Sequence, residues 1–399
     1  MNSGKKGFLK IKTFHLWPAE ITRNAEQITT GFSLEGPGLE RKAFWYRLPA
    51  ACQPALAQSC DPYLLAVLFK AMRTPADLVV HGAASPSLLR NLDEFQAAWV
   101  MWHPNHYSRI AIQVDTEQEQ SKAPTNAVLS GFSGGLDSSF SIFRHRNQNL
   151  GHAQQNVTAS IFIHGFDISL SRVEAYNRAV DRGKIILESL GVALIPMAMN
   201  LKQLEDNWDH SHVAVLASCL MLLQGGFSAG LIAGSTPYSA FTPNSGSNPV
   251  TDWLLGSASF PIIHDGAGFT RFDKVRVLAH WPPALQHLRV CMRGAERDKN
   301  CCRCPKCVRT ILYFRFAGCG LPPCFEKDAS NLQVLRMNYP SQLGINNLHE
   351  ILEAAHTGHA SLPTRLAIRG SMFLNRLRML VYGSRVFKVV KRFVRPRSF

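Results

Sequence analysis

Two rhythms of apolar and polar positions divide the chain. From residue 127 onward, short apolar runs at 127–132 (AVLSGF), 158–166 (TASIFIHGF), 192–199 (VALIPMAM) and 228–235 (SAGLIAGS) read as buried strands, because a strand covered on both faces shows little polar alternation. Helical spacing fills the intervals: a helix starting near Ser138, one over 172–191 with Gly191 as its stop, and one over 212–226. Strand, helix, strand at this cadence predicts right-handed crossovers and a doubly wound parallel α/β sheet. Ligands of such sheets sit outside the carboxyl ends of the strands, which selects the loops Ser133 to Ser139, His164 to Asp167 and Gly234 to Pro237.

Residues 1–120 read as a separate α+β accessory domain. KGFLKIKTF, KAFWYRL, DLVVHG and RIAIQV are strand-like, PYLLAVLFKAM has helical spacing from Pro62, and Ser85 followed by Pro86 starts a helix through Trp102. The dense aromatics Phe95, Trp99, Trp102 and Tyr107 are expected in its core. The polar stretch 116–126 marks the boundary to a domain over 127–325, and 326–399 reads as a helical region ending in a basic tail.

A hydrophobic content of 46% over 399 residues is enough to fill real cores and excludes disorder. The longest nearly apolar run, 213–223, is too short to span a bilayer, and the first residues lack the apolar region of a secretory signal, so a cytoplasmic protein without a transmembrane segment is expected. The formal charge of +15 is concentrated: ten Lys or Arg and no acid lie from Thr364 to Phe399. Arg378, Arg385, Lys388, Arg392 and Arg395 recur at helical spacing, with Phe373, Leu377, Leu380, Phe387, Val390 and Val394 largely on other sides. Such a helix suits an anionic membrane surface or a nucleic-acid backbone, and equally a helix packed on its own domain with a charged solvent face.

The first buried strand runs straight into Ser133, Gly134, Gly135, Leu136, Asp137, Ser138 and Ser139 and then a helix. Paired glycines allow a tight turn and close approach of amides to an anion, and the helix start aims free N–H groups at the same place. Asp137 would repel a phosphate unless Mg²⁺ bridges them, so the loop reads as a Mg²⁺–ATP site. A Walker A loop is disfavoured, since no Lys precedes the final Ser. Gly131 to Gly135 also satisfies G-x-S-x-G, the nucleophile elbow of hydrolases, which would enlist Asp252 or Asp265 and His264, His280 or His287. No earlier strand carries the oxyanion-hole segment that reading needs.

Five of the ten cysteines fall within 17 residues: Cys291, Cys301, Cys302, Cys304 and Cys307. C-x2-C-x2-C with one further thiolate suits a structural tetrahedral Zn²⁺, and triple C-x2-C spacing also serves iron–sulfur clusters. Cys219, amid Leu and Met on a helix, is expected in the core; Cys319 and Cys324 are the candidates for a sulfur-relay pair. Asp252, His264 and Asp265 lie in a loop-rich stretch as candidates for orienting an acceptor or a second metal, against turn caps as the plainer role.

SGGLDSS at 133–139 resembles the SGGxDS signature of the PP-loop ATP pyrophosphatase superfamily, whose members split ATP into AMP and pyrophosphate while adenylating a substrate. The resemblance implies Ser133, Gly134, Gly135, Asp137 and Ser138 around the pyrophosphate, with His164 and the Gly234, Ser235 loop flanking adenosine. Over 127–325, the loop followed by the cysteine pattern is similar to the 7-cyano-7-deazaguanine synthases of the queuosine pathway. That likeness implies Cys291, Cys301, Cys304 and Cys307 as the ligands, with Cys302 standing where glycine is usual. It further implies ATP, Mg²⁺ and Zn²⁺ as cofactors, a small-molecule acceptor with a carboxylate or carbonyl, an ammonia or amine donor, and a homodimer. About 120 extra residues before the loop and 70 after the cysteines point to a different acceptor. A sulfur transferase acting on RNA and a non-catalytic nucleotide-binding module are the alternatives.

Overall fold

A computed structural model describes residues 12–383 except 205–206, 244, 292, 295–296 and 340–341. The chain forms two compact units, one of residues 1–133 with 137–268 and one of residues 134–136 with 269–399. The expected basic positions Arg385 to Arg397 and their apolar companions from Phe387 lie outside the described residues.

The first unit is α/β and built on one eleven-stranded sheet. Its strands are β1 (Thr13–Pro18), β2 (Thr22–Arg23), β3 (Gln27–Gly36), β4 (Leu39–Pro49), β5 (Asp77–Ala84), β6 (Ile112–Glu117), β7 (Ala127–Gly131), β8 (Asn156–His164), β9 (Ala193–Met199), β10 (Ala229–Ala233) and β11 (Ile262–Asp265). Helices α1 (Asp61–Arg73), α2 (Pro86–Trp102), α3 (Leu136–Asn147), α4 (Val173–Glu188) and α5 (Trp208–Met221) connect them.

Strand order is β11-β10-β7-β8-β9-β4-β3-β1-β5-β6, with β2 beside β3. The pairs from β11 through β9 are all parallel, as the buried runs predict. Chain order steps outward from β7 through β8 to β9, then returns to the other side of β7 with β10 and β11, so the sheet reverses between β7 and β10.

The sheet does not stop at the expected boundary near residue 120. Antiparallel pairing of Tyr46 with Met199 and Arg47 with Ala198 joins β4 to β9, so the amino-terminal strands extend the parallel sheet. Asn200 continues this seam with its side chain, accepting from Trp45 N–H at 2.8 Å and donating to Ala43 O at 3.3 Å. Helix α5 is apolar nearly all round and packs against α1, and its Cys219 is fully buried. The aromatics Phe95, Trp99 and Tyr107 are core residues, locked edge-to-face with Phe69.

Two local expectations are corrected. Helix α3 begins at Leu136, two residues before Ser138, because Gly134 takes φ +70° and completes the chain reversal early. The stretch expected as a long loop contains the edge strand β11, and Thr270 with Asp273 forms a capping box for the next helix.

The second unit holds α6 (Arg271–Leu278), α7 (Pro282–His287), α8 (Pro305–Phe316), α9 (Asn331–Leu335), α10 (Gln342–Thr357) and α11 (Leu362–Gly383). Helix α8 packs on α6 and α10, and α11 packs on α9 and α10. Among the described residues no helix is long and apolar enough to cross a membrane.

Candidate metal centre and candidate nucleotide loop

The cysteine centre is assembled by local chain geometry. Cys304 is the N-cap of α8, its sulfur accepting from Cys307 N–H at 3.5 Å, and Pro305 at the first helical position fixes the entry. Cys304 N–H in turn donates to Cys301 Sγ at 3.3 Å, while Arg293 and Gly294 N–H donate to Cys291 Sγ at 3.4 and 3.2 Å. The distant arm is fastened by Asn300. Its Oδ1 accepts from Val290 and Cys291 N–H at 2.9 and 3.2 Å, and its Nδ2 donates to Leu288 O and Cys324 O at 2.8 and 3.0 Å. Sequence reasoning missed Asn300, since an Asn beside a Cys carries no spacing signal.

These contacts bring Cys291, Cys301, Cys304 and Cys307 together with all four sulfurs within 4.8 Å of one another. Two pairs, Cys291 with Cys304 and Cys301 with Cys307, stand at 3.9 Å. Four thiolates on one tetrahedral ion with bonds of about 2.3 Å lie about 3.8 Å apart, so the set fits a single ion. Thiolates bound to separate irons of a four-iron cluster need a wider spread than this. Hydrogen bonds from Cys304 and Cys307 hold Cys291 as a thiolate far below the ordinary thiol range, and the same bonding with Cys291 pushes Cys304 up to about 11 and Cys307 higher still. Cys302 is buried with its Sγ 3.5 Å from Asn300 O, outside the four-sulfur set. Burial pushes the Cys324 thiol up to about 12 and also raises Cys319, which disfavours both as thiolate nucleophiles.

The glycine loop leaves β7 at the reversal of the sheet. Ser133 Oγ lies 3.3 Å from Ser138 Oγ, which also accepts from Ser133 N–H at 3.3 Å, so the two hydroxyls close the turn across the helix start. Gly134 O accepts from Arg289 N–H at 2.7 Å. Gly135 and Asp137 are half-buried, Leu136 and Ser138 buried, and Ser139 Oγ is fully buried without a hydrogen-bond partner.

The flanking loops differ in how they use their side chains. His164 ends β8 as expected, but its ring stacks on Tyr176 at 4.3 Å and its Nε2 lies 2.8 Å from Ser169 O; burial lowers its pKa. Gly234 follows β10, its N–H donating to Asp265 O at 2.7 Å, and Ser235 is half-buried beside it. Asp252 and His264 are paired at 2.7 Å between Oδ2 and Nδ1, with Asp252 fully buried and His264 Nε2 enclosed without a partner. Asp265 faces Arg144 at 3.4 Å and His145 at 3.3 Å; burial raises its carboxyl, but His145, Ser141 and Arg144 together outweigh that and hold it below the ordinary range.

Compared with protein-family models, with curated proteins and with solved structures, the chain matches none.

Proposed function

We propose that this protein is an ATP pyrophosphatase of PP-loop type that adenylates a carboxylate or carbonyl oxygen and passes the activated carbon to a nitrogen nucleophile. The observation that carries the reading is the SGGLDSS turn, with a left-handed Gly134, placed between a parallel strand and a helix where the sheet reverses. The backbone amides there, the Ser133 and Ser138 hydroxyls and the N-terminus of α3 form an anion cradle for the departing pyrophosphate. Asp137 in the first turn of α3 is the residue to hold Mg²⁺, which supplies charge neutralisation on the phosphates.

In this reaction the acceptor oxygen attacks the α-phosphorus and pyrophosphate leaves. The nitrogen nucleophile then attacks the adenylated carbon, losing a proton as AMP departs. No protein nucleophile is needed, so the chain's task is positioning and charge stabilisation. The four cysteines are assigned to one Zn²⁺ as a closed structural site, because an all-thiolate set leaves no open coordination position.

A second reading has one favouring observation: Ser133, Asp252 and His264 occur in the chain order of α/β-hydrolase triads, and the latter two are hydrogen-bonded. Against it, His264 Nε2 has no hydrogen-bond partner and so does not engage Ser133. Phosphorus NMR of ATP and Mg²⁺ with the protein and a metabolite extract separates the readings. AMP and pyrophosphate that vanish in Asp137→Asn support adenylation; ADP and phosphate sink it. Covalent labelling of Ser133 by a fluorophosphonate would instead establish the hydrolase.

A further inference from the structure

Helix α11 presents two unlike faces. Its inner face buries Thr364, Ile368, Ser371 and Asn375, and hydrogen bonds fix its rotation: Asn375 Nδ2 donates to Met337 O at 2.8 Å, its Oδ1 accepts from Tyr339 N–H at 2.7 Å, and Thr364 Oγ1 donates to Asn331 Oδ1 at 3.0 Å. The outward face carries Leu362, Leu366, Phe373, Leu377 and Leu380, exposed by 68, 56, 62, 43 and 72%. At about 100° per residue these five fall within a sector of about 60°, forming a stripe about 27 Å long. Arg365, Arg369 and Arg376 fall in the adjoining sector, and among the described residues no carboxylate pairs with them. No acidic residue follows Glu353 in the whole sequence.

A contiguous apolar stripe left in water signals a partner, and the charges beside it decide which. An antiparallel second copy docking stripe to stripe would set its arginine row against the same row, with no acid to relieve the repulsion, and a parallel copy would leave both rows without a counter-charge. A nucleic-acid backbone satisfies the guanidinium groups but leaves leucines and a phenylalanine wet. An anionic bilayer satisfies both, with the acyl boundary taking the stripe and headgroup phosphates taking the arginines. The helix is not apolar enough to cross. We propose that the outward face of α11 is a membrane-surface element that seats the protein on anionic lipid.

The test is sedimentation of the full chain with vesicles of phosphatidylcholine alone and of phosphatidylcholine with about a third phosphatidylglycerol. Expected is binding to the anionic vesicles that weakens with salt, and a loss of about tenfold or more in Phe373→Glu/Leu377→Glu, two exposed positions whose change leaves the thermal melt intact. Absence of binding to anionic vesicles overturns the proposal. So does equal binding by the double variant, which would mean that the tail charges act without the stripe. A wild-type dimer that becomes monomeric in the variant would assign the stripe to a second copy, and saturable binding to RNA with none to vesicles would assign the charge to nucleic acid; either result also overturns it.

Discussion

His264 Nδ1 lies 2.7 Å from Asp252 Oδ2, and the same carboxyl group accepts Ser247 Oγ at 2.8 Å and Asn248 N–H at 2.9 Å. Asp252 thus anchors a turn and aims a ring. The ring points its Nε2 at Gly234, the first residue after β10, where an added methyl group would overlap Nε2 and stand 3.1 Å from Asp265 O. Glycine at 234 is therefore required by close approach, with the backbone and a buried ring on either side.

Gly234→Ala is expected to cost about 1–3 kcal/mol, because neither neighbour can withdraw without breaking its own hydrogen bonds. The urea midpoint measures it. His264→Ala in the same chain should recover much of the loss by emptying the space; a lone Gly234→Ala variant with wild-type stability would show that the ring is not held against the turn.

At the metal centre, Cys302 takes φ +55°, a left-handed conformation that costs a side-chain-bearing residue about 1 kcal/mol. This gives a physical reason for glycine at such a position. Both Cys302→Ala and Cys302→Gly lose the buried thiol, but only glycine releases the backbone strain. Glycine is expected to be the more stable of the two by about 1 kcal/mol, the reverse of the ordinary order in helices and strands, with bound metal unchanged in both. Alanine being the better replacement, or metal content falling with either, would remove this account.

The parallel half of the sheet was legible because its strands are unbroken apolar runs separated by amphipathic or apolar helices, and the metal centre because C-x2-C-x2-C places thiols on a turn and a helix start. The seam between β4 and β9 was not. It rests on only two residue pairs and on Asn200, whose side chain imitates a backbone group, and no periodicity announces that. The Asp252 to His264 pairing is legible only in part: the nucleophile-elbow reading offers the two among several acids and histidines, and what singles them out is β11, a four-residue strand too short to show a pattern.

Asn200→Ala tests the seam. It leaves Trp45 N–H and Ala43 O without the amide that links them, at an expected cost of about 1–3 kcal/mol. Hydrogen exchange gives the sharper readout: the Trp45 amide should lose protection while amides of the parallel core, such as Leu129, keep theirs. Unchanged protection at Trp45 would mean that the ladder holds without the side chain.

His210 supplies a pH test in the same unit. Burial, and then the nearby His103 ring at 4.6 Å, lower its pKa from 6.5 to about 4; His106 and Arg73 act in the same direction, while Asp209 opposes them. Its Nδ1 also lies 2.9 Å from Tyr107 OH, which can donate to the neutral ring. Between pH 6.5 and about 4 the unfolded chain binds a proton that the folded chain refuses, so this group destabilises the fold increasingly as pH falls through that window and contributes nothing above it. Replacing the ring with Gln should flatten the slope of stability against pH below 6.5 while leaving it unchanged at neutral pH. Parallel curves for the two proteins from neutral pH to about pH 5 would show that His210 titrates normally in the fold.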